Sequence, residues 1–251
     1  MLALTFPPIN EILRWRDIFP TFNKVALISV AAALIAIVIF LLASRQDGMK
    51  APKGVRNLAE TIVEFIEEQI IMPTMGRSGL GWTPFLLCLF VFIYLCNVPG
   101  IIPVIYMPAT ARIAIPLFLS LLVWVIFIGV GFKHQGASYI KNSLMPPGVP
   151  GALYVLVIPI EFISTFLVRP FSLTVRLFAN MLAGHILLVT FALLTEELVL
   201  ADSIALKPVG ILPFFMLMFI TGFEVLVGFL QAYIFTILAA VYIGGAAHPE
   251  H

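Results

Sequence analysis

The sequence predicts an all-α membrane protein: about five transmembrane helices, one amphipathic interfacial helix, and a last pair of helices forming a long, strongly tilted hairpin. Three observations carry this. Of 251 residues, 61% are hydrophobic and only 11% charged, against about 25% charged in an ordinary soluble domain. The mean hydropathy of +1.10 leaves more apolar surface than water can cover, so lipid is the solvent that fits. The apolar residues also fall into runs long enough to cross about 30 Å of hydrocarbon at 1.5 Å per residue. With a net charge of +1 and no basic block, no nucleic-acid partner is expected.

Residues 1–24 form an N-terminal segment with charges of both signs, Glu11, Arg14, Arg16, Asp17 and Lys24. The first apolar run begins only at Val25 and is longer than a signal-peptide core, so the segment is read as part of the mature chain. The first span, 25–44, is interrupted only by Ser29. Arg45, Lys50, Lys53 and Arg56 follow it against Asp47 alone, which puts that end in the cytoplasm and the N-terminus outside.

Residues 55–72 read as an amphipathic helix and not a span. Val55, Leu58, Ile62, Phe65 and Ile66 recur at helical spacing, with Glu60, Glu64, Glu67 and Glu68 between them. An acidic face suits protein better than anionic lipid, so a packed role is expected. A Gly-rich turn, Gly76 to Gly81, leads into the helix pair of residues 82–134. Its spans are Thr83 to Ile105, broken late by Asn97, Pro99, Gly100 and Pro103, and Ile113 to Phe132. Cys88 and Cys96 read as small buried hydrophobes. Lys133, His134 and Lys141 mark a second cytoplasmic end, and Pro146, Pro147 and Pro150 make a loop.

The hairpin occupies 153–245. Its two apolar stretches, Leu153–Leu200 and Val209–Ile243, both exceed the roughly 20 residues a crossing needs, so each must tilt, kink or project. Glu196, Glu197 and Asp202 lie between them, with Lys207 close by. Five crossings put the C-terminus in the cytoplasm, with His248 and His251 in a solvated tail. No internal repeat is visible, which weighs against an inverted-repeat transporter.

Within this hairpin stand groups that lipid tolerates poorly: Glu161, Arg169, Arg176, His185 and Glu224, with the neutral Asn180 and Gln231. A central arginine costs about 2.5–3.5 kcal/mol on insertion scales, so such residues mark a pathway by default. On an ideal helix Arg169, Ser172 and Arg176 all lie within about 40° of Thr165, and Ala179, Asn180 and Ala183 continue the stripe. Arg176 thus sits on a face of small and hydroxyl-bearing residues that lets another helix approach closely. His185 lies about 180° away, facing the last helix, where Glu224 and Gln231 share a face. A histidine and a carboxylate relay protons well, and equally make a buried structural pair. Arg169 either joins a pathway or snorkels to headgroups. A stand-alone proton channel or transporter, and a purely structural subunit, both remain open on these residues alone.

The run Arg-Pro-Phe-Ser-Leu-Thr-Val-Arg-Leu-Phe-Ala-Asn-Met-Leu-Ala-Gly-His, residues 169–185, resembles subunit a of F-type ATP synthases, as does Leu-Gln-Ala-Tyr-Ile-Phe-Thr-Ile-Leu, residues 230–238. The resemblance covers essentially the whole chain and is strongest from Pro159 onward. It implies the stator part of a proton channel in an energy-coupling membrane, the bacterial inner or plasma membrane. The tilted hairpin would pack against a rotating ring of c subunits, each with a mid-membrane carboxylate. It also implies peripheral-stalk b-type subunits and the remainder of the complex as partners, and no cofactor or metal. Arg176 matches the arginine that faces the ring carboxylate. Asn180, His185, Glu224 and Gln231 match positions of the half-channel open to the outside. Glu161, Ser164 and Ser172 approximately match positions near the cytoplasmic half-channel, and Arg169 neighbours them. Two departures stand out. Some members carry an acid at the position of His185 and a histidine at that of Glu224. The segment from Glu161 to Pro170 is one residue longer than in some members. No phosphate-binding Gly-rich loop is present, so this chain is not expected to carry the ATP chemistry.

Overall fold

The computed structural model describes residues 24–44, 54–102, 108–136, 138–145, 153–200 and 207–247. The N-terminal segment, the basic residues 45–53, the proline loop 146–150, Asp202 and the C-terminal histidines lie outside the described residues. Among the described residues there is no strand. Five helical stretches are long and apolar enough to cross a membrane: Lys24–Ser44, Val55–Gly100, Ala114–Gln135, Tyr154–Val199 and Lys207–Ala247. The chain is an all-α, multi-pass membrane protein.

The first helix, α1 (Lys24–Ser44), touches the rest of the chain along one stripe of Val25, Ile28 and Ala32. Leu34, Ile37 and Leu41 are exposed, as a lipid-facing helix requires. The Ser29 hydroxyl donates to the Val25 carbonyl of its own helix, so it needs no outside partner. Helix α2 (Val55–Ile66) runs on through a π turn, Glu67–Ile71, into α3 (Met72–Met75) and a 3₁₀ segment, Gly76–Trp82. Val55 and Leu58 at its start are exposed, and burial begins at Ala59. From there Ile66, Ile70 and Ile71 enter the main core with Leu86, Phe90 and Ile93 of α4 (Thr83–Asn97). Its acidic side is tied locally: Arg56 pairs with Glu60 at 2.7 Å, and the Thr83 hydroxyl donates to Glu67.

Helix α4 ends sooner than its hydropathy suggests. After Asn97 it tightens into a 3₁₀ turn, Val98–Gly100, because Pro99 cannot continue the α-helical bonding. Cys96 is fully buried, but Cys88 is exposed, against expectation. Eight residues separate them, about 80° around a helix, which is enough to turn one outward. A second 3₁₀ turn, Ala109–Ala111, precedes α5 (Ala114–Gln135). That helix runs three residues past Phe132. Lys133 and His134 suit its negative C-terminal end, and Gly136, at φ +61°, stops it. Helix α6 (Ser138–Leu144) folds back so that the Tyr139 ring lies on Gly131, where an added Cβ would clash with the ring. Gly131→Ala should therefore force α6 off α5 at a cost of about 1–3 kcal/mol. Faster protease nicking between Gln135 and Ser138 is expected; an unchanged rate would count against this packing.

The hairpin is built from α7 (Tyr154–Ile163), a π turn at Ser164–Val168, α8 (Arg169–Val199) and α9 (Ile211–Ala247). It is antiparallel: Gly210 backs onto Val199, Gly184 onto Glu224, Asn180 bonds Gln231, and the Arg169 guanidinium lies over Tyr242. The two π turns have one cause. Each ends just before a proline, Pro73 or Pro170, whose missing N–H and bulky ring disfavour an α turn. Met72 and Arg169 donate instead to carbonyls five residues back, Glu67 and Ser164. The Gln69 carbonyl, which Pro73 cannot serve, accepts from the Tyr233 hydroxyl at 3.4 Å. The second π turn falls inside the segment from Glu161 to Pro170.

Candidate functional site

Arginine 176 stands on the outer face of α8. Ala179, Asn180, Ala183 and Leu187 are exposed with it, while Leu173, Leu177, Met181 and His185 fill the buried side. The stripe of small residues beside the arginine is therefore accessible. No carboxylate among the described residues pairs with Arg176.

One turn beyond it, a cavity of about 490 Å³ opens on the same face between α8 and α9. Asn180, Gly184, Glu224 and Gln231 line it among apolar side chains such as Leu187 and Phe223. Asn180 Nδ2 donates to Gln231 Oε1 at 2.9 Å, joining the two helices. Such a bond in a membrane protein averages about 0.6 kcal/mol, so it orients the helices more than it holds them. Glu224 is 5% exposed and Gln231 2%. Neither oxygen of Glu224 has a partner among the described residues, nor has Gln231 Nε2. Glu224 fits because Gly184 has no side chain: an added Cβ there would lie 2.5 Å from Glu224 Oε1. A buried acid with unused oxygens, opening on a cavity, is ready to exchange hydrogen bonds or a proton.

Burial of His185 is nearly complete, at 1% exposure, and both its nitrogens lack a partner among the described residues. It was expected to face the last helix. Instead it lies within about 20° of Thr174 on the helical wheel, and Thr174 bonds Ser120 of α5. His185 thus shares the face turned to α5 and the Ala109–Ala111 turn, both packed on α8. Gly184, one residue back, takes the place opposite Glu224, and no direct His185–Glu224 hydrogen bond forms.

The predicted stripe also breaks below Arg176. Across the π turn the 100° phasing no longer holds, and Thr165 is buried at 2% exposure. Ser172, Ser164 and Glu161 are half-buried. Arg169 does not reach out along the stripe. Its guanidinium lies 5.1 Å from the Tyr242 ring centre and 6.0 Å from that of Phe127, held between α9 and α5. Sequence reading passed over Gly184, Ser120 and Thr174. The glycine beside His185 was the available signal, since a glycine next to polar intramembrane groups marks a close approach.

The family model for the ATP synthase A chain matches residues 25–244. An ATP synthase subunit a of Frankia alni is 44% identical over 91% of this chain and 79% of its own length. One from a Nocardioides species is 40% identical over 88% of this chain and 80% of its own length. An ATP synthase subunit a 1 of Brucella anthropi is 40% identical over 92% and 90% respectively. With five membrane-length helices and a match over most of its length, the chain belongs to the ATP synthase subunit a family, the proton-transporting membrane component of the F-type enzyme.

Proposed function

We propose that this chain forms two offset half-channels that carry protons to and from carboxylates on a rotating c-ring. The observation that carries the reading is Arg176, an exposed cation with no acid partner among the described residues of its own chain, beside a cavity that holds a buried carboxylate. A guanidinium so placed in hydrocarbon calls for an anion from another subunit.

The path reads as follows. A proton enters from outside through the region of Asn180, His185, Glu224 and Gln231. It neutralises a ring carboxylate, which can then turn into lipid. After nearly a full turn the carboxylate meets the cytoplasmic path near Glu161, Ser164, Ser172 and Arg169 and releases the proton. An ionised carboxylate stays with Arg176, because an unpaired charge in lipid is costly. The cation favours the ionised form and blocks direct passage between half-channels. The membrane potential supplies about 2.3 kcal/mol per charge per 100 mV. The hairpin is tilted along the ring, the N-terminus lies outside and the C-terminus in the cytoplasm, and b-type stalk subunits hold the chain still.

A disulfide test addresses this reading directly. Ala183→Cys, on the Arg176 face, should cross-link to a cysteine placed beside the ring carboxylate and stop ATP-driven proton pumping until reduced. A stand-alone carrier would give no such product and would purify without a ring.

A further inference from the structure

A primary amide buried in a membrane helix needs partners at both ends. Asn97, the last residue of α4, is 2% exposed and has them. Its Nδ2 donates to the backbone carbonyl of Gly228 at 3.1 Å. Its Oδ1 accepts from the hydroxyl of Thr110, which is fully buried in the turn before α5. A carbonyl only accepts, so the amide NH₂ must face Gly228. The Gly228 carbonyl has a second lone pair for this bond, so the helix need not open.

Gly228 shares the buried face of α9 with Glu224 and Gln231, one turn from each. The two residues are close neighbours: a Cβ added at Gly228 would lie 3.5 Å from the Asn97 Cβ, in ordinary contact. Other polar ties reach α9 at Gln231, Tyr233, Tyr242 and the Ala246 carbonyl, but the rest of its packing around Gly228 is apolar or small, and lipid tails compete for apolar packing on nearly equal terms. A directional bond to the backbone fixes what such packing leaves loose, the slide and rotation of the helix.

We propose that Asn97 is a positioning residue. It clamps α9 to α4 at Gly228, so that Gln231 meets Asn180 and Glu224 faces Gly184, and it carries no proton itself. This rests on the reading that Glu224 and Gln231 border the proton path.

The test uses the assembled ATP synthase in inverted vesicles, in a Cys88→Ser, Cys96→Ala background. Asn97→Leu keeps the branched shape of the side chain and removes both bonds. ATP-driven proton pumping should fall about tenfold at unchanged subunit content. Gly228→Ala keeps the carbonyl and has room for its methyl, so it should pump normally. The deciding variant is Asn97→Cys with Gly228→Cys, whose Cβ separation falls within the disulfide range of about 3.5–4.5 Å. Reduced, it should pump as poorly as Asn97→Leu. Oxidised, it should recover, although no amide is present. A cross-linked protein that stays inactive overturns the proposal, because the amide would then act in its own right. Normal pumping by Asn97→Leu, or failure of the cross-link to form, overturns it as well. Glu224→Gln and Gln231→Leu in the same vesicles separate the two claims. If both pump normally, the path assignment fails, while the disulfide result still decides whether the setting of α9 matters.

Discussion

Arg176→Ala is expected to abolish proton-driven ATP synthesis while leaving the complex assembled. Assembly should survive because Arg176 is exposed on α8 and makes no ion pair among the described residues, so truncation orphans no buried group there. Coupling should not survive. An opposite charge within about 4–6 Å lowers a carboxyl pKa by about 1–3 units, which is a 10- to 1000-fold bias toward the ionised form. Without that bias a ring carboxylate stays protonated past the stator, and protons cross between the half-channels without turning the ring. The mutant membrane should therefore show no synthesis and a raised passive proton leak through the sector. Arg176→Lys should fall between, since a desolvated ammonium can release its proton and a guanidinium does not. Fluorescence-quench measurement of the leak, with ATP synthesis in the same vesicles, checks both effects. Normal synthesis in the alanine variant would sink the gating role.

The legible parts of this fold were those in which solvent dictates pattern. Helices in lipid must be apolar and long, so their number and approximate ends follow from hydropathy. The face of Arg176 was legible for a similar reason, because within α8 the helix is regular and Ala179, Asn180 and Ala183 keep their phase. What misled was irregular backbone. Pro170 widens the turn before it, so Thr165 turns inward and the stripe ends. The side toward which His185 points was misread for another reason. Phase fixes where a residue stands on its own helix, but not which neighbour lies there. That neighbour is set by α5 and by bonds such as Ser120 to Thr174, which link residues far apart in sequence. Asn97 was visible only as a break in an apolar run, because its partner is a backbone carbonyl on α9 and leaves no trace in side-chain composition.

Gly184→Ala is expected to impair proton transport through one atom. The new methyl carbon would stand 2.5 Å from Glu224 Oε1 and 3.1 Å from its Cδ. Backbone is not what blocks it, so the carboxylate yields and the helices stay packed. Glu224 would have to swing off its site, taking with it the buried acid that lines the cavity beside Asn180 and Gln231. Misplacing a reacting group by about 1 Å can cost about 100-fold, so ATP-driven pumping should drop by one to two orders of magnitude with subunit content unchanged. The cause is specific and so is its repair. Glu224→Asp withdraws the carboxylate by one methylene, enough to clear the added methyl. In the parent it should weaken pumping, by drawing the acid back from the cavity it lines. In the Gly184→Ala background it should raise pumping above that of Gly184→Ala alone. That reversal of sign marks direct coupling between the two sites, since independent sites would give additive losses. Additive losses, or normal pumping by Gly184→Ala, would mean that the place of Glu224 against α8 does not matter for transport.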